Sequence, residues 1–522
     1  MLNPLPTSIQ TFCDLINGGY LYIDKTKYLY ELVRYPKGVY FLARPRRFGK
    51  SLLISTLDEI FQGNKELFKG LWLYDSPYQW QQHPVIRIDF SRHRIRNEAD
   101  LEVRIHRHLS LIARQYNIDL PDAPFDIQFE ELILSLGAEK QVVILIDEYD
   151  KPLIDNLERR EDAQAIQQVM REFYTVIKSM DQYIRFVFIT GVSRFSRVGV
   201  FSSMNNLLDL TMHSDFAGLL GLTEEEIRHS FQGYLTKFAK EKNILEDALL
   251  DKMRRWYDGF RFVEGSERLY NPFSTMHFFH NRRFANYWFE TGTPSFLIKL
   301  IKEQNFDVTQ LEQLELRETA FSTYDLENLA VTPLLVQTGY LTIKDYDQET
   351  RKYTLAYPNY EVEDAFSVHL LGAFSSVEYG LGESYLWKLI DALQAGELEE
   401  FFTILDVFFA NIDYQLHLKY EKYYQTIFYL IFLLLGLRVE AEVETNKGRI
   451  DAVVELKKAI FLFEFKLDGS ADEALRQIIT REYYQKYSLK GKPVTLVGVN
   501  FDSRKRGVAE WRSEIVHSST GV

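Results

Sequence analysis

Apolar and polar positions follow two periods along this chain. In the first 200 residues, four short runs are mostly apolar: Val39–Ala43, Pro84–Phe90, Gln141–Ile146 and Ile184–Ile189. Runs of this length without alternation predict strands buried on both faces of a parallel sheet. After Ser51 the period changes, and Leu53, Leu57, Ile60 and Phe61 fall on one helical face. Strand followed by helix predicts an α/β unit. Past Gly221 the pattern becomes helical: Leu222–Ile227 opens with a Thr N-cap and an acidic first turn. Residues 291–375 read as helices and then a hairpin. Its strands, Tyr340–Lys344 and Arg351–Leu355, flank a polar turn, and Val331–Gly339 precedes them. This is the pattern of a winged-helix-like module, which serves in some proteins to hold DNA and in others as a spacer or protein contact. Residues 376–415 read as a helical connection. From 416 onward come a helical run (Lys422–Leu437), a strand (Arg438–Val443), a hairpin (Gly448–Val454 and Ile460–Lys466), a helix (Ala471–Tyr487) and a last strand (Val494–Val499).

The polar residues at the ends of these runs carry the chemistry. Arg44, Pro45, Arg46, Arg47, Phe48, Gly49, Lys50 and Ser51 connect the first strand to its helix. Backbone N–H groups at such a helix start attract phosphate, Lys50 neutralises its charge, and the Ser51 hydroxyl suits Mg²⁺. The P-loop pattern G-x-x-x-x-G-K-[ST] has glycine where this chain has Arg44. Arg44 before Pro45 holds the loop entry extended and leaves three arginines either near the phosphates or packed against acidic strand ends. The third strand ends in Asp147-Glu148-Tyr149-Asp150. Asp147 is placed to hold Mg²⁺ and Glu148 to orient the water attacking a γ-phosphate; the alternative is a strand-to-helix turn with acidic caps. At the end of the fourth strand, Thr190 is placed to sense the γ-phosphate. Arg194 or Arg197 is placed to stabilise transition-state charge, in the same chain or from a second subunit; the alternative is a surface loop with structural arginines. The Arg- and His-rich stretch Arg92–His108 is either a partner surface or, as charge runs commonly are, a solvated helix face.

In the C-terminal part, strand alternation puts Glu464 and Lys466 on one face and Phe463 and Phe465 on the other. Asp451 lies on the neighbouring strand of the hairpin. Two carboxylates bracketing one point suit a hard cation such as Mg²⁺, and a lysine beside them can position or help deprotonate a water. Gln477 and Arg481 share a face of the next helix, within reach of the same point or of a phosphate. The alternative for Asp451, Glu464 and Lys466 is an amphipathic hairpin with surface ion pairs.

Composition adds limits. The chain has 522 residues, 46% hydrophobic and 26% charged, which predicts several globular domains. One cysteine, Cys13, excludes a disulfide framework and a Cys-based zinc site. The opening MLNPLPTSIQ lacks a secretory leader pattern, and the longest apolar run, Ile427–Leu437, is too short to span a bilayer. A reducing cytoplasm and no membrane association are expected. The net charge of -13 argues against a surface coated throughout for nucleic acid. From Leu416 onward, however, 17 Lys and Arg stand against 14 Asp and Glu, so this part is the more basic.

The segments RPRRFGKS (Arg44–Ser51), LIDEYDKP (Leu145–Pro152) and TGVSRFS (Thr190–Ser196), with WYDGF (Trp256–Phe260) and NPFS (Asn271–Ser274), resemble the bacterial AAA-ATPase-like family. Residues 416–522 resemble the PD-(D/E)XK nuclease superfamily domain commonly fused to it. The resemblance implies a P-loop NTPase core over 1–220 and a helical lid subdomain over 221–290. A winged-helix-like region over 291–375, a helical connection over 376–415 and a restriction-endonuclease-like α/β domain over 416–522 complete the expected order. In the core, the Thr190 strand would separate the Lys50 and Asp147 strands. It implies ATP and Mg²⁺ at Lys50, Ser51 and Asp147, with Glu148 as base. It also implies Mg²⁺ at Asp451 and Glu464, with Lys466 catalytic and Glu421 accessory. The expected activity is that of an ATP-dependent nuclease acting on DNA; RNA is another substrate class. A nucleotide-switched binding protein with an inactive nuclease-like domain is the rival class. An arginine acting between chains would require a homo-oligomer.

Overall fold

The computed structural model describes residues 2–91, 94–195, 200–201, 204–289, 295–321, 329–375, 379–410, 421–434, 438–445, 448–505 and 507–516. The side chains of 295, 379–384, 410, 421–422, 438–450 and 488–490 fall outside that description. The chain forms two units: Met1–Leu297 with Gln313–Val362, and Ile298–Glu312 with Glu363–Val522.

The first unit holds a five-stranded sheet of β1 (Gly38–Ala43), β2 (Val85–Asp89), β3 (Val142–Asp147), β4 (Ile184–Gly191) and β5 (Leu208–Asp209). All neighbours are parallel, in the order β2-β3-β4-β1-β5. β4 therefore separates the phosphate-loop strand from the Asp147 strand. Every residue of β3 is buried, which is why its sequence is a continuous apolar run rather than an alternating one. Parallel register aligns the strand ends, with Leu42 beside Thr190 and Asp89 beside Asp147.

The sequence after Gly221 builds a helical subdomain. Thr223 and Glu226 form a reciprocal capping box at its first helix. Phe231, Phe238, Met253, Tyr257 and Phe278 form its core. The region 291–375, expected as one winged-helix-like module, is divided between the units. Its three-stranded sheet, β6 (Leu314–Leu316), β7 (Thr342–Asp347) and β8 (Lys352–Ala356), belongs to the first. The reason is local. Thr342 Oγ1 accepts from Arg261 N–H at 2.7 Å and donates to Arg261 O at 2.9 Å.

The second unit is organised on β9 (Arg438–Thr445), β10 (Gly448–Glu455), β11 (Ile460–Leu467), β12 (Val494–Asp502) and β13 (Gly507–Val516). The order is β13-β12-β11-β10-β9, with only β11 and β12 parallel. One face packs on the Glu421–Leu434 helix: Phe463 and Phe465 meet Phe428 at ring separations of 4.9 and 4.7 Å. On the other face Leu462 and Leu496 pack with Ile478 and Tyr483. The Ala471–Thr480 helix lies so close to β12 that a Cβ at Gly498 would sit 2.3 Å from Ala471 O. Among the described residues no helix is long and apolar enough to cross a membrane.

Candidate functional site

The loop between β1 and the Lys50–Phe61 helix turns inward at Gly49, whose φ of +96° suits glycine alone. Lys50 is buried, and its ammonium donates to the carbonyls of Arg44 (3.1 Å) and Pro45 (3.2 Å). It also lies 3.4 Å from Glu148 Oε1. The Asp147 carboxylate, almost wholly buried, has the Ser51 hydroxyl as a neighbour. Burial raises Asp147 to about 6; the Ser51 hydroxyl opposes this and the charge of Glu148 reinforces it. Glu148 itself sits at φ +51°, a left-handed conformation uncommon outside glycine, and its amide donates to Asp147 Oδ1 at 3.0 Å. Lysine, hydroxyl and two carboxylates thus converge on the end of the sheet where the loop opens. This donor set fits a metal-bound polyphosphate.

Three of the residues expected at the nucleotide have their side chains engaged by the protein itself. The Arg44 side chain is buried rather than turned to a ligand. Its guanidinium donates to Ala43 O, Thr211 O and Phe216 O and stacks 4.2 Å from the Phe262 ring. Arg194 pairs with Asp209 at 2.5 Å, and its amide donates to Gln337. The Thr190 hydroxyl donates to Leu42 O at 2.9 Å and so ties β4 to β1. These three serve the scaffold around the loop. Arg46 and Arg47 are exposed, with Arg47 4.7 Å over the Phe273 ring, while Phe48 is buried against Phe260 and Phe262. Ser196, Arg197, Arg92 and His93 lie outside the described residues. The helix after that last pair, Glu98–Gln115, buries Leu101, Ile105 and Leu109 and exposes Arg107.

In the second unit, Ala452 pairs with Phe463, so the next step of the register sets Asp451 opposite Glu464. Asp451 Oδ2 accepts from Phe465 N–H at 2.8 Å. Glu464 is buried, and its Oε1 accepts from the Gln477 amide and lies 3.8 Å from Lys466 Nζ. Lys466 is the more exposed partner, so the pair runs from interior toward solvent. Two carboxylates, a lysine and a carboxamide therefore gather on the sheet face covered by the Ala471–Thr480 helix. Asp451 and Glu464 are hard oxygen donors of the kind Mg²⁺ prefers. Among the described residues no third His, Cys, Asp or Glu joins them. Glu421 opens the Glu421–Leu434 helix, and its side chain is outside the described residues.

A family model described as a predicted AAA-ATPase matches residues 6–201, and one for the PD-(D/E)XK nuclease superfamily matches residues 419–511. The chain is also 38% identical, over 97% of both chains, to a protein of Azotobacter chroococcum mcd 1 described as "Uncharacterized protein in vnfD 5'region". The chain belongs to the predicted AAA-ATPases that carry a PD-(D/E)XK nuclease superfamily domain. In this family member the ATPase-like core has a further polar residue that sequence reasoning left without a role. Asp150 is fully buried, and its carboxylate accepts from Val192 N–H (3.1 Å) and Ser193 N–H (2.6 Å). Burial and the nearby Glu148 raise it to about 6. It joins the Asp147–Glu148 strand end to the loop after β4. The signal was a third acid in LIDEYD, placed where a strand end turns into a helix.

Proposed function

We propose that the protein is an ATP-binding nuclease in which nucleotide at the ATPase-like core controls metal-dependent cleavage of DNA at the C-terminal domain. On this reading Lys50 and the loop amides hold the phosphates, Ser51 and Asp147 hold Mg²⁺, and Glu148 orients the attacking water. The apolar pocket of about 110 Å³ lined by Leu21, Leu52, Leu220, Pro272 and Met276 accepts the adenine ring. At the second centre Asp451 and Glu464 hold Mg²⁺, which when bound polarises the phosphodiester and supports the leaving oxygen. Lys466 positions the water, and Gln477 keeps Glu464 turned toward the site. Glu421 is the accessory carboxylate.

The observation that carries the reading is the buried Glu464 held by Gln477 beside Lys466, opposite Asp451. A carboxylate taken out of water costs stability that pairing and hydrogen bonds only partly offset, and such a cost is commonly borne at functional sites. One observation favours the rival reading, binding without cutting. Asp451 accepts a main-chain N–H of the neighbouring strand, as a purely structural acid would. The test is Mg²⁺-dependent cleavage of linear, nicked and branched DNA with and without ATP. Wild type is expected to cut, and Asp451→Ala and Lys466→Ala are not. DNA binding by wild type with no cleavage would favour the rival, and preferential cutting of RNA would change the substrate class.

A further inference from the structure

A second cavity, of about 570 Å³, is lined in part by the phosphate loop within the first unit. It shares no lining residue with the apolar pocket assigned to adenine. Its lining joins two kinds of group. Arg46, Arg94 and Arg159 bring guanidinium side chains, and Trp288, Phe289 and Tyr340 bring rings. The rings form one wall: Tyr340 lies 5.3 Å from Trp288 and 5.9 Å from Phe289, both edge to face. That wall is fixed to the phosphate loop, because the Trp288 indole N–H donates to Arg46 O at 3.0 Å. Ser193 also lines the cavity. It is fully buried, and among the described residues its hydroxyl has no hydrogen-bond partner. The cavity wall at Ser193 is therefore formed beside a hydroxyl that the described residues leave unpaired.

Guanidinium forks recognise phosphate and aromatic faces stack on bases. The volume is within the small-molecule range of about 300–1,000 Å³. A simple anion would leave the ring wall unused, and an apolar ligand would leave the arginines unused. We propose that this cavity is an effector site for a nucleoside phosphate distinct from the ATP held at Lys50. The ligand meets two elements that adjoin the ATP site. Arg46 belongs to the phosphate loop, and Ser193 shares its amide with Asp150, two residues past Glu148. Binding in the cavity stands independently of the proposed ATP and nuclease roles; only its influence on ATP handling rests on them.

The test uses the full-length protein with Lys50→Ala to silence the ATP site, or wild type saturated with unlabelled ATP should that variant not fold. Fluorescent adenosine and guanosine mono-, di- and triphosphates and a cyclic dinucleotide are titrated against tryptophan fluorescence. At least one is expected to saturate at one per chain and to be displaced by its unlabelled form. Arg94→Glu, and the milder Arg94→Ala, are expected to weaken it by about tenfold or more while leaving the unfolding temperature in place. Absence of binding up to about 1 mM, the weakest affinity of interest, overturns the proposal. So does binding that ignores both Arg94 variants, or capture of a DNA oligonucleotide with no free nucleotide bound.

Discussion

Lys50 Nζ lies 3.4 Å from Glu148 Oε1 while also donating to the carbonyls of Arg44 and Pro45. One ammonium thus connects the loop expected to cradle phosphate with the carboxylate expected to steer water. Removing it releases both. Lys50→Ala should lower ATP affinity by about 10- to 100-fold, the worth of one charge-assisted hydrogen bond of about 1.5–3 kcal/mol. Equilibrium titration checks this. Glu148→Gln should bind ATP as wild type does and lose hydrolysis by about two orders of magnitude. Equal loss of binding in both variants would mean that Glu148 holds the nucleotide instead of the water.

Asp147, raised to about 6 by burial, should give nucleotide binding a pH dependence. A protonated Asp147 is a poor Mg²⁺ ligand. Affinity for ATP with Mg²⁺ should be flat above about pH 7 and fall by up to about tenfold per pH unit below 6. Asp147→Asn should bind weakly at every pH with no such slope. Titrations at pH 5 to 8 measure it, and an unchanged slope in Asp147→Asn places the titrating group elsewhere.

Asp258 bears on stability in the opposite direction from a salt-bridged acid. Burial raises it to about 6, so the folded chain keeps a proton that the unfolded chain has lost between about pH 4 and 6. Stability from this group is fully present below pH 4 and is lost as pH rises through 6. Asp258→Asn removes that slope. The stability of wild type relative to Asp258→Asn should fall by roughly 3 kcal/mol at most between pH 4 and 7, read from denaturant midpoints.

Gly498 fixes the seat of the Ala471–Thr480 helix, and with it Gln477. A methyl group there meets Ala471 O at 2.3 Å and Leu475 N at 2.6 Å, both backbone, so the helix must move. Gly498→Ala should reduce cleavage by about tenfold or more and leave ATP affinity unchanged. Gln477→Ala should reproduce the loss of cleavage without the loss of stability. Full activity in both variants would remove Gln477 from the site.

Arg44 marks where sequence reading stopped. The four buried strands were legible because continuous apolar runs have one common outcome in an α/β chain, and the meeting of Lys50, Ser51 and Asp147 because a loop after one parallel strand and the end of another share one edge of the sheet. An arginine in such a loop reads equally as a phosphate contact or as packing against acidic strand ends. Its burial depends on carbonyls of Thr211 and Phe216, 167 and 172 residues away, which no local pattern reveals. The pairing of Arg194 with Asp209, on the edge strand β5, was hidden for the same reason. At the second centre, alternation gave the common face of Glu464 and Lys466, but the Gln477 contact required knowing how closely a helix approaches Gly498. Arg44→Met therefore separates the two roles. It should lower stability by about 2–4 kcal/mol and leave ATP affinity within about twofold. A large loss of affinity with unchanged stability would restore Arg44 to the ligand.

The alternation of segments between the two units has a practical consequence for dissecting the protein. Ile298–Glu312 belongs with the C-terminal unit, yet it precedes Gln313–Val362 of the first, so the polypeptide passes from one unit to the other three times. Tyr429 donates its hydroxyl to Glu312 at 2.6 Å, inside the second unit. A fragment begun at 363 would be made without that partner, and one ended at 297 would lack the strands that hold Arg261. Neither half can be excised by a single cut. A ribosome must deliver residues up to Val362 before the first unit has all its parts.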